Sequence, residues 1–213
     1  MENTTMENTR TKTTRNSLIL LLTAAIWGMA FVSQSKGMDY MHPFTFNGVR
    51  SLIGAASILV YILISRKIAG DKAAPLDWKL NVKAGLLCGI FLTIASTLQQ
   101  FGIKYTSVGK AGFITTLYII FVPMFGIFLK KKVAPVVWAA AVMAAVGMYL
   151  LCMTESLRLG AGDIMVFLCA IAFAIQIMTV DHYAARIDGA VVSCIQFTVC
   201  GVVCCIGALI WGQ

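Results

Sequence analysis

Arg50 is the side chain of this sequence best placed for chemistry with a charged ligand, because it lies seven residues into a long apolar run that starts at Pro43. Its guanidinium group stays protonated in proteins. On a helix, Phe46, Asn47 and Gly54 would share its face, since they lie three or four residues away. Such an arginine attracts an anionic group such as a carboxylate. Alternatively, it extends outward, or ties helices together through backbone carbonyls.

A second set of polar side chains has the spacing i, i+3, i+4 and i+7, which places all four on one stripe of a helix. They are Thr93, Ser96, Thr97 and Gln100. A stripe of this kind faces protein or water rather than lipid. Hydrogen bonding between helices explains it slightly better than ligand binding does.

Further candidate solute-binding side chains lie in other apolar runs. Trp27, Phe31 and Gln34 share one helical face, and an aromatic wall suits an organic solute, although packing is the commoner role. The other candidate solute-binding side chains are Thr116, Gln176 and Gln196. Pro123 removes one helical hydrogen bond, so we predict a bend or gate there. Gly28 is the second candidate hinge.

Composition decides what kind of protein carries these residues. Apolar residues make up 59% of the 213 residues, charged residues only 12%, and the mean hydropathy is +0.85. A soluble domain has about twice this share of charged residues. The net charge of +8 lies in short gaps between apolar runs, without any nucleic-acid motif. The composition therefore predicts a membrane protein rather than a soluble enzyme or a nucleic-acid-binding protein.

The sequence contains no HExxH, GxSxG or Walker A motif, and no GxGxxG placed after a strand. The seven cysteines all lie in apolar runs, and their spacing matches no zinc site. We interpret them as small packing residues, and we expect no cofactor, no resident metal and no ATP-driven pumping by this chain.

Apolar runs long enough to cross a bilayer as helices number seven. We predict spans at 17–35, 43–65, 82–102, 106–129, 134–153, 161–180 and 189–211. A β-barrel is excluded, because the runs do not alternate and are twice the length of a barrel strand. The predicted fold class is all-α, a polytopic membrane helix bundle. Gly85 and Gly89 form a GxxxG pattern that predicts close helix contact.

Basic residues predict the orientation of the spans. Twelve Lys and Arg residues fall on one side and four on the other, and short loops rich in Lys and Arg stay cytoplasmic. The twelve are Arg10, Lys12, Arg15, Arg66, Lys67, Lys72, Lys79, Lys83, Lys130, Lys131, Lys132 and Arg186; the four are Lys36, Lys104, Lys110 and Arg158. We therefore predict an inner-membrane protein with a cytoplasmic N-terminus.

The sequence contains a weak internal repeat with an offset of 146 residues. With this offset Trp27 aligns with Phe173, Pro43 with Gly189, and Arg50 with Gln196. Five predicted spans separate the copies, and an odd number inverts the second copy in the membrane. Inverted repeats are typical of secondary transporters.

Several short motifs, in this order and at this spacing, resemble the EamA family of the drug/metabolite transporter superfamily. They are Ala25-Ile26-Trp27-Gly28-Met29-Ala30-Phe31, Pro43, Arg50, Lys104-Tyr105-Thr106-Ser107, Pro123 and Gly147-Met148-Tyr149-Leu150-Leu151. The resemblance implies ten helices in two inverted halves of five around a central cavity. Lys131 departs from it, because the family commonly has an acidic residue near this position.

The resemblance also implies the domain organisation. Residues 1–16 would be a cytoplasmic polar tail, 17–153 the first repeat of five spans, and 161–213 the first two spans of a second repeat. Three spans of the ten-helix pattern would be missing. We therefore expect little transport by one copy alone, and a homodimer or further C-terminal helices as partners.

The predicted function is secondary transport of small organic solutes by alternating access, without ATP. The resemblance implies amino acids, related metabolites or drugs as solutes. Two alternatives remain at this point: an intramembrane lipid-modifying enzyme, for which only His182 beside Asp181 offers candidate groups, and a non-transporting membrane assembly subunit.

Overall fold

The computed structural model describes residues 2–70, 76–129, 134–152 and 160–211. Within these ranges all regular structure is helical. The helices are α1 (Glu2–Gly37), α2 (Pro43–Ala69), α3 (Trp78–Tyr105), α4 (Val108–Thr116), α5 (Tyr118–Phe128), α6 (Pro135–Cys152), α7 (Ala161–Tyr183) and α8 (Gly189–Trp211), with a 3₁₀ turn at Ala184–Arg186. The predicted all-α bundle is confirmed. The basic residues Lys72, Lys130, Lys131, Lys132 and Arg158, predicted to lie between spans, are outside the described ranges.

Six helical stretches of the described residues are long and apolar enough to cross a membrane. They are Asn16–Gly37, Pro43–Ala69, Trp78–Tyr105, Val108–Phe128, Ala161–Arg186 and Gly189–Trp211. In α6, the apolar stretch Pro135–Gly147 is shorter. The chain is therefore a multi-pass membrane protein, with six long spans where the sequence predicted seven.

The predicted span 106–129 is not one continuous helix. Its helix breaks at Leu117, where α4 ends and α5 begins, and the Leu117 N–H donates to the Ile114 carbonyl oxygen at 3.2 Å. Pro123 lies inside α5 without breaking it. Because proline has no N–H, the carbonyl of Ile119 loses its usual helical donor.

The centre of the bundle consists of α2, α3, α7 and α8. Helix α3 packs against both α7 and α8, and α2 runs antiparallel to α8. Glycines allow this close approach: a Cβ at Gly85 would lie 2.7 Å from Ile195, and one at Gly89 would lie 2.8 Å from Val199. The predicted GxxxG contact is therefore confirmed. Helices α1 and α6 have fewer contacts and lie at the periphery.

Polar contacts join the helices at one end of this core, which we call the Asp188 end. The Asp188 carboxylate accepts from the Ala190 N–H at 3.0 Å and lies 3.4 Å from the Arg66 guanidinium. The Asp188 N–H donates to Asn81 Oδ1 at 2.9 Å. These bonds fix the end of α2 and the starts of α3 and α8.

Aromatic contacts join the helices at the opposite end, which we call the His42 end. The ring of Phe44 lies 5.3 Å from that of Phe101 and 6.0 Å from that of Trp211. The His42 side chain accepts from the Phe44 N–H and so caps α2.

Candidate functional site

The first polar cluster joins α2 to α3. Asn47 is fully buried, and its amide nitrogen donates to the Ser96 carbonyl oxygen at 2.9 Å. The guanidinium of Arg50 donates to Asn47 Oδ1 at 2.8 Å and lies 5.6 Å from the centre of the Phe46 ring. Arg50 has no carboxylate partner among the ion pairs of the described residues. Its charge is thus held at the protein surface without an anion beside it.

The second polar cluster joins α1 to α3, one helical turn from the first. The Gln100 amide nitrogen donates to the backbone oxygen of Gln34 at 3.3 Å. The side-chain oxygens of both glutamines are buried and accept no hydrogen bond. Leaving a buried polar group unpaired costs about 1–3 kcal/mol, so two in one cluster are unusual in a stable protein.

The thiol of Cys200 lies at the junction of α2, α3 and α8. Its sulfur is 3.4 Å from the hydroxyl oxygens of both Ser51 and Ser96, and the Cys204 sulfur is 3.7 Å from the Thr97 hydroxyl. Both cysteines are fully buried. The contacts support a packing role for Thr97 and these cysteines.

Gln176 and Gln196 form a separate pair between α7 and α8. The Gln176 amide nitrogen donates to Gln196 Oε1 at 3.0 Å. A Cβ at Gly89 of α3 would lie 3.2 Å from the Gln196 Cα, so the pair sits beside the close contact of α3 with α8.

Of the remaining predicted residues, Thr93 lies beside Cys200, and the others do not join these clusters. Trp27 is largely exposed, and Phe31 packs against the apolar cluster of Ile103, Ala111, Ile114 and Val166. The hydroxyls of Thr93 and Thr116 bind carbonyls of their own helices. The candidate hinges also differ: a Cβ at Gly28 would meet open space, whereas Pro123 is buried.

Sequence reasoning gave no role to Asp163, which the structure buries where α3, α4 and α7 meet. Its carboxylate accepts from the Thr106 hydroxyl and from the Gly160 N–H, and lies 3.6 Å from the Lys110 ammonium group. The sequence offered one signal: opposite charges lie near the starts of two apolar runs, Lys110 in 106–129 and Asp163 in 161–180. Position near a span end does not reveal burial, because that depends on how the ends pack.

A cavity of about 520 Å³ lies between α3, α5 and α7, near the Asp188 end. Its walls are mainly apolar, and the polar side chains of Thr179 and His182 are exceptions. The other lining residues are Leu87, Phe125, Phe128, Leu129, Ile175, Met178 and Tyr183. None of the predicted solute-binding residues lines it, whereas His182, a candidate group of the enzyme alternative, does. Among the described residues, no group of three or more His, Cys, Asp or Glu side chains is placed to hold a metal ion.

Comparison with known proteins gives the family. The model of the EamA-like transporter family matches residues 15–153, which is well over half of the chain. The chain belongs to this EamA-like family. No solved structure matches it.

One relative is an uncharacterized transporter of Archaeoglobus fulgidus, 31% identical over 171 residues. The match covers 78% of this EamA-like chain but 48% of the relative, so the chain spans about half the relative's length.

Proposed function

We propose that this EamA-like chain is part of a secondary transporter that moves small organic solutes by alternating access, without ATP. The solutes are amino acids, related metabolites or drugs. The observation that carries the proposal is the convergence of polar groups from α1, α2 and α3 within one apolar bundle. This region contains a guanidinium without a carboxylate partner and two amide oxygens without donors. Polar groups inside membrane helices commonly mark solute pathways.

The packing of α2 on α8 supports an inverted repeat within the proposed transporter. These two helices are the equivalents of each other under the offset of 146 residues. They pack antiparallel, with Gly48 beside Cys205 and Leu52 beside Gly201. Equivalent helices of inverted copies run in opposite directions. The proposal places residues 17–153 in the first repeat and 161–213 in the second.

The proposed location is the inner membrane, with the N-terminus and the Asp188 end in the cytoplasm. Arg66, Lys67, Lys79, Lys83 and Arg186 all lie at or near this end. Such an excess of basic residues favours the cytoplasmic side.

Transport is proposed to need a second set of helices, from another copy of the chain or from a further segment. The aligned residues cover only 48% of the relative, so more than half of the relative has no counterpart in this alignment. A single copy would leave the exposed Arg50 guanidinium facing lipid, which cannot satisfy it.

The test is counterflow of radiolabelled amino acids in vesicles that contain the purified chain, with its oligomeric state measured by native mass spectrometry. We expect saturable counterflow from preparations with the second set of helices and little from monomers. Arg50→Gln is the matched loss-of-function control. Robust counterflow from monomers would contradict the need for a partner, and none from any preparation would contradict amino acid transport.

A further inference from the structure

We propose that the side-chain oxygens of Gln34 and Gln100 are an acceptor site for an N–H donor group of the solute, of the primary ammonium kind. This inference rests on the proposed function and specifies the chemistry of its solute. It concerns the region between α1 and α3, one turn from Arg50.

The two oxygens are acceptors that the protein itself does not use. Gln34 is 5% exposed and Gln100 is fully buried, and neither Oε1 atom has a hydrogen-bond partner. The bond from the Gln100 amide nitrogen to the Gln34 backbone oxygen fixes which way the Gln100 amide points. Rotating that amide by half a turn would place two oxygens against each other.

Neighbouring amide donors are already engaged. Gln99 donates to the Thr115 hydroxyl at 3.2 Å, and Asn47 donates to the Ser96 carbonyl oxygen at 2.9 Å. Arg50 donates to Asn47. These donors are therefore not available to the two oxygens, and a donor group of a molecule that enters the site would satisfy them.

The number and type of free atoms select the ligand chemistry. A hard divalent cation such as Ca²⁺ or Mg²⁺ takes about six or more oxygen ligands, and two amide oxygens are too few. A carboxylate brings only acceptors and is repelled by them. An ammonium group has three donors, enough for both oxygens.

The position of Arg50 extends the argument to the rest of the solute. Its guanidinium bends back to Asn47, which contacts Ser96, and Ser96 lies one turn before Gln100 on α3. The contacts of the guanidinium and of the Gln100 amide therefore lie at neighbouring turns of α3, which are about 6 Å apart along the axis at 1.5 Å per residue. A short zwitterion can place its carboxylate at Arg50 and its ammonium group at the glutamines.

Entry of the ligand requires α1 to move away from α3, because both oxygens are covered. The light packing of α1 is consistent with such movement: Ile26, Trp27, Met29 and Val32 are all exposed. In contrast, α3 is held between α7 and α8.

The test compares three probes that share one carbon skeleton. Leucine carries both charges, 4-methylpentanoate lacks the ammonium group, and 3-methylbutylamine lacks the carboxylate. Binding is measured by calorimetry on the purified full chain in lipid nanodiscs, together with thermal unfolding.

The variant is Gln34→Met, which keeps the length of the side chain and removes the free oxygen. The matched control is Gln99→Met, whose amide is equally buried but is bonded to Thr115. We expect Gln34→Met to weaken binding of leucine and of the amine by about tenfold or more, and to leave binding of 4-methylpentanoate unchanged. It should also raise the unfolding temperature, because an unpaired acceptor is removed. Gln99→Met should lower the unfolding temperature and change no affinity.

A purely structural or water-filled site gives a different result: Gln34→Met then raises stability without changing any affinity, and the inference is overturned. Equal weakening for the acid and the amine overturns it as well. If wild type binds none of the three probes but other solutes show counterflow, this inference falls while the proposed transport function stands.

Discussion

Arg50 has two roles that remain to be separated: it holds Asn47 by a hydrogen bond, and we propose that it binds the anionic group of the solute. We expect Arg50→Gln to weaken binding of 4-methylpentanoate by about tenfold or more while the unfolding temperature changes little. Arg50→Lys should restore binding only in part, because an ammonium group replaces a fork of five donors. Calorimetry and thermal unfolding measure the two effects.

The control for Arg50 is Arg66→Gln. Arg66 is also in α2 but pairs with Asp188 at the other end of the bundle, so its loss should leave affinity unchanged. If Arg50→Gln instead lowers the unfolding temperature strongly while the folded molecules keep their affinity, Arg50 is a structural residue.

At the residue scale, type and spacing predicted that the polar stripe of α3 faces protein or water, but not the partners of its side chains. Ser96 and Gln100 are buried as the stripe predicted, yet one contacts α2 and the other α1. Gln176 and Gln196 bind each other. Which helices meet depends on their order in space, and spacing along one helix carries no information about that order.

At the element scale, the close contact of α3 with α7 depends on glycine. A Cβ at Gly102 would lie 2.5 Å from Val166 Cγ2 and 2.9 Å from the Gly162 oxygen. Because a backbone atom cannot move aside cheaply, we expect Gly102→Ala to destabilise the protein by roughly 1–3 kcal/mol. Thermal unfolding in detergent measures this loss.

Gly112→Ala is the matched control, because a Cβ at Gly112 would meet nothing within 4 Å. We expect it to be neutral or to stabilise α4 by up to about 1 kcal/mol, as alanine favours helix. Equal loss of stability in both variants would show that close packing at Gly102 is not the cause.

Helix positions were largely predictable, since lipid requires long apolar helices. The predicted span 43–65 lies within α2 (Pro43–Ala69), and the predicted span 189–211 matches α8 (Gly189–Trp211). The break at Leu117 was not predicted, because no proline or glycine occupies that position. The bend was predicted at Pro123 instead. Both half-helices pack mainly against α7 and α6, so different main neighbours do not explain the break.

At the scale of the whole molecule, orientation can be tested with the two ends of one helix. Lys79 lies in the first turn of α3 and Lys104 in the last, and both are exposed. In a background without native cysteines, we expect Lys104→Cys to react with a membrane-impermeant maleimide in intact cells. Lys79→Cys should react only after the membrane is opened.

Each cysteine variant is the control for the other, because both sit on the same helix with similar exposure. The reverse pattern would place the N-terminus outside. Reaction of both in intact cells would contradict a membrane-spanning α3.

The pairing of α2 with α8 has a consequence for biosynthesis. Roughly 120 residues separate the end of α2 from the start of α8, and ribosomes add about 5–20 residues per second. Helix α2 is therefore in the membrane for on the order of ten seconds before α8, its main packing partner, is synthesised. During this delay Arg50 depends on acceptors that already exist. Asn47 lies three residues earlier on the same helix and accepts from Arg50, so the nascent charge has a hydrogen-bond acceptor from the moment α2 forms.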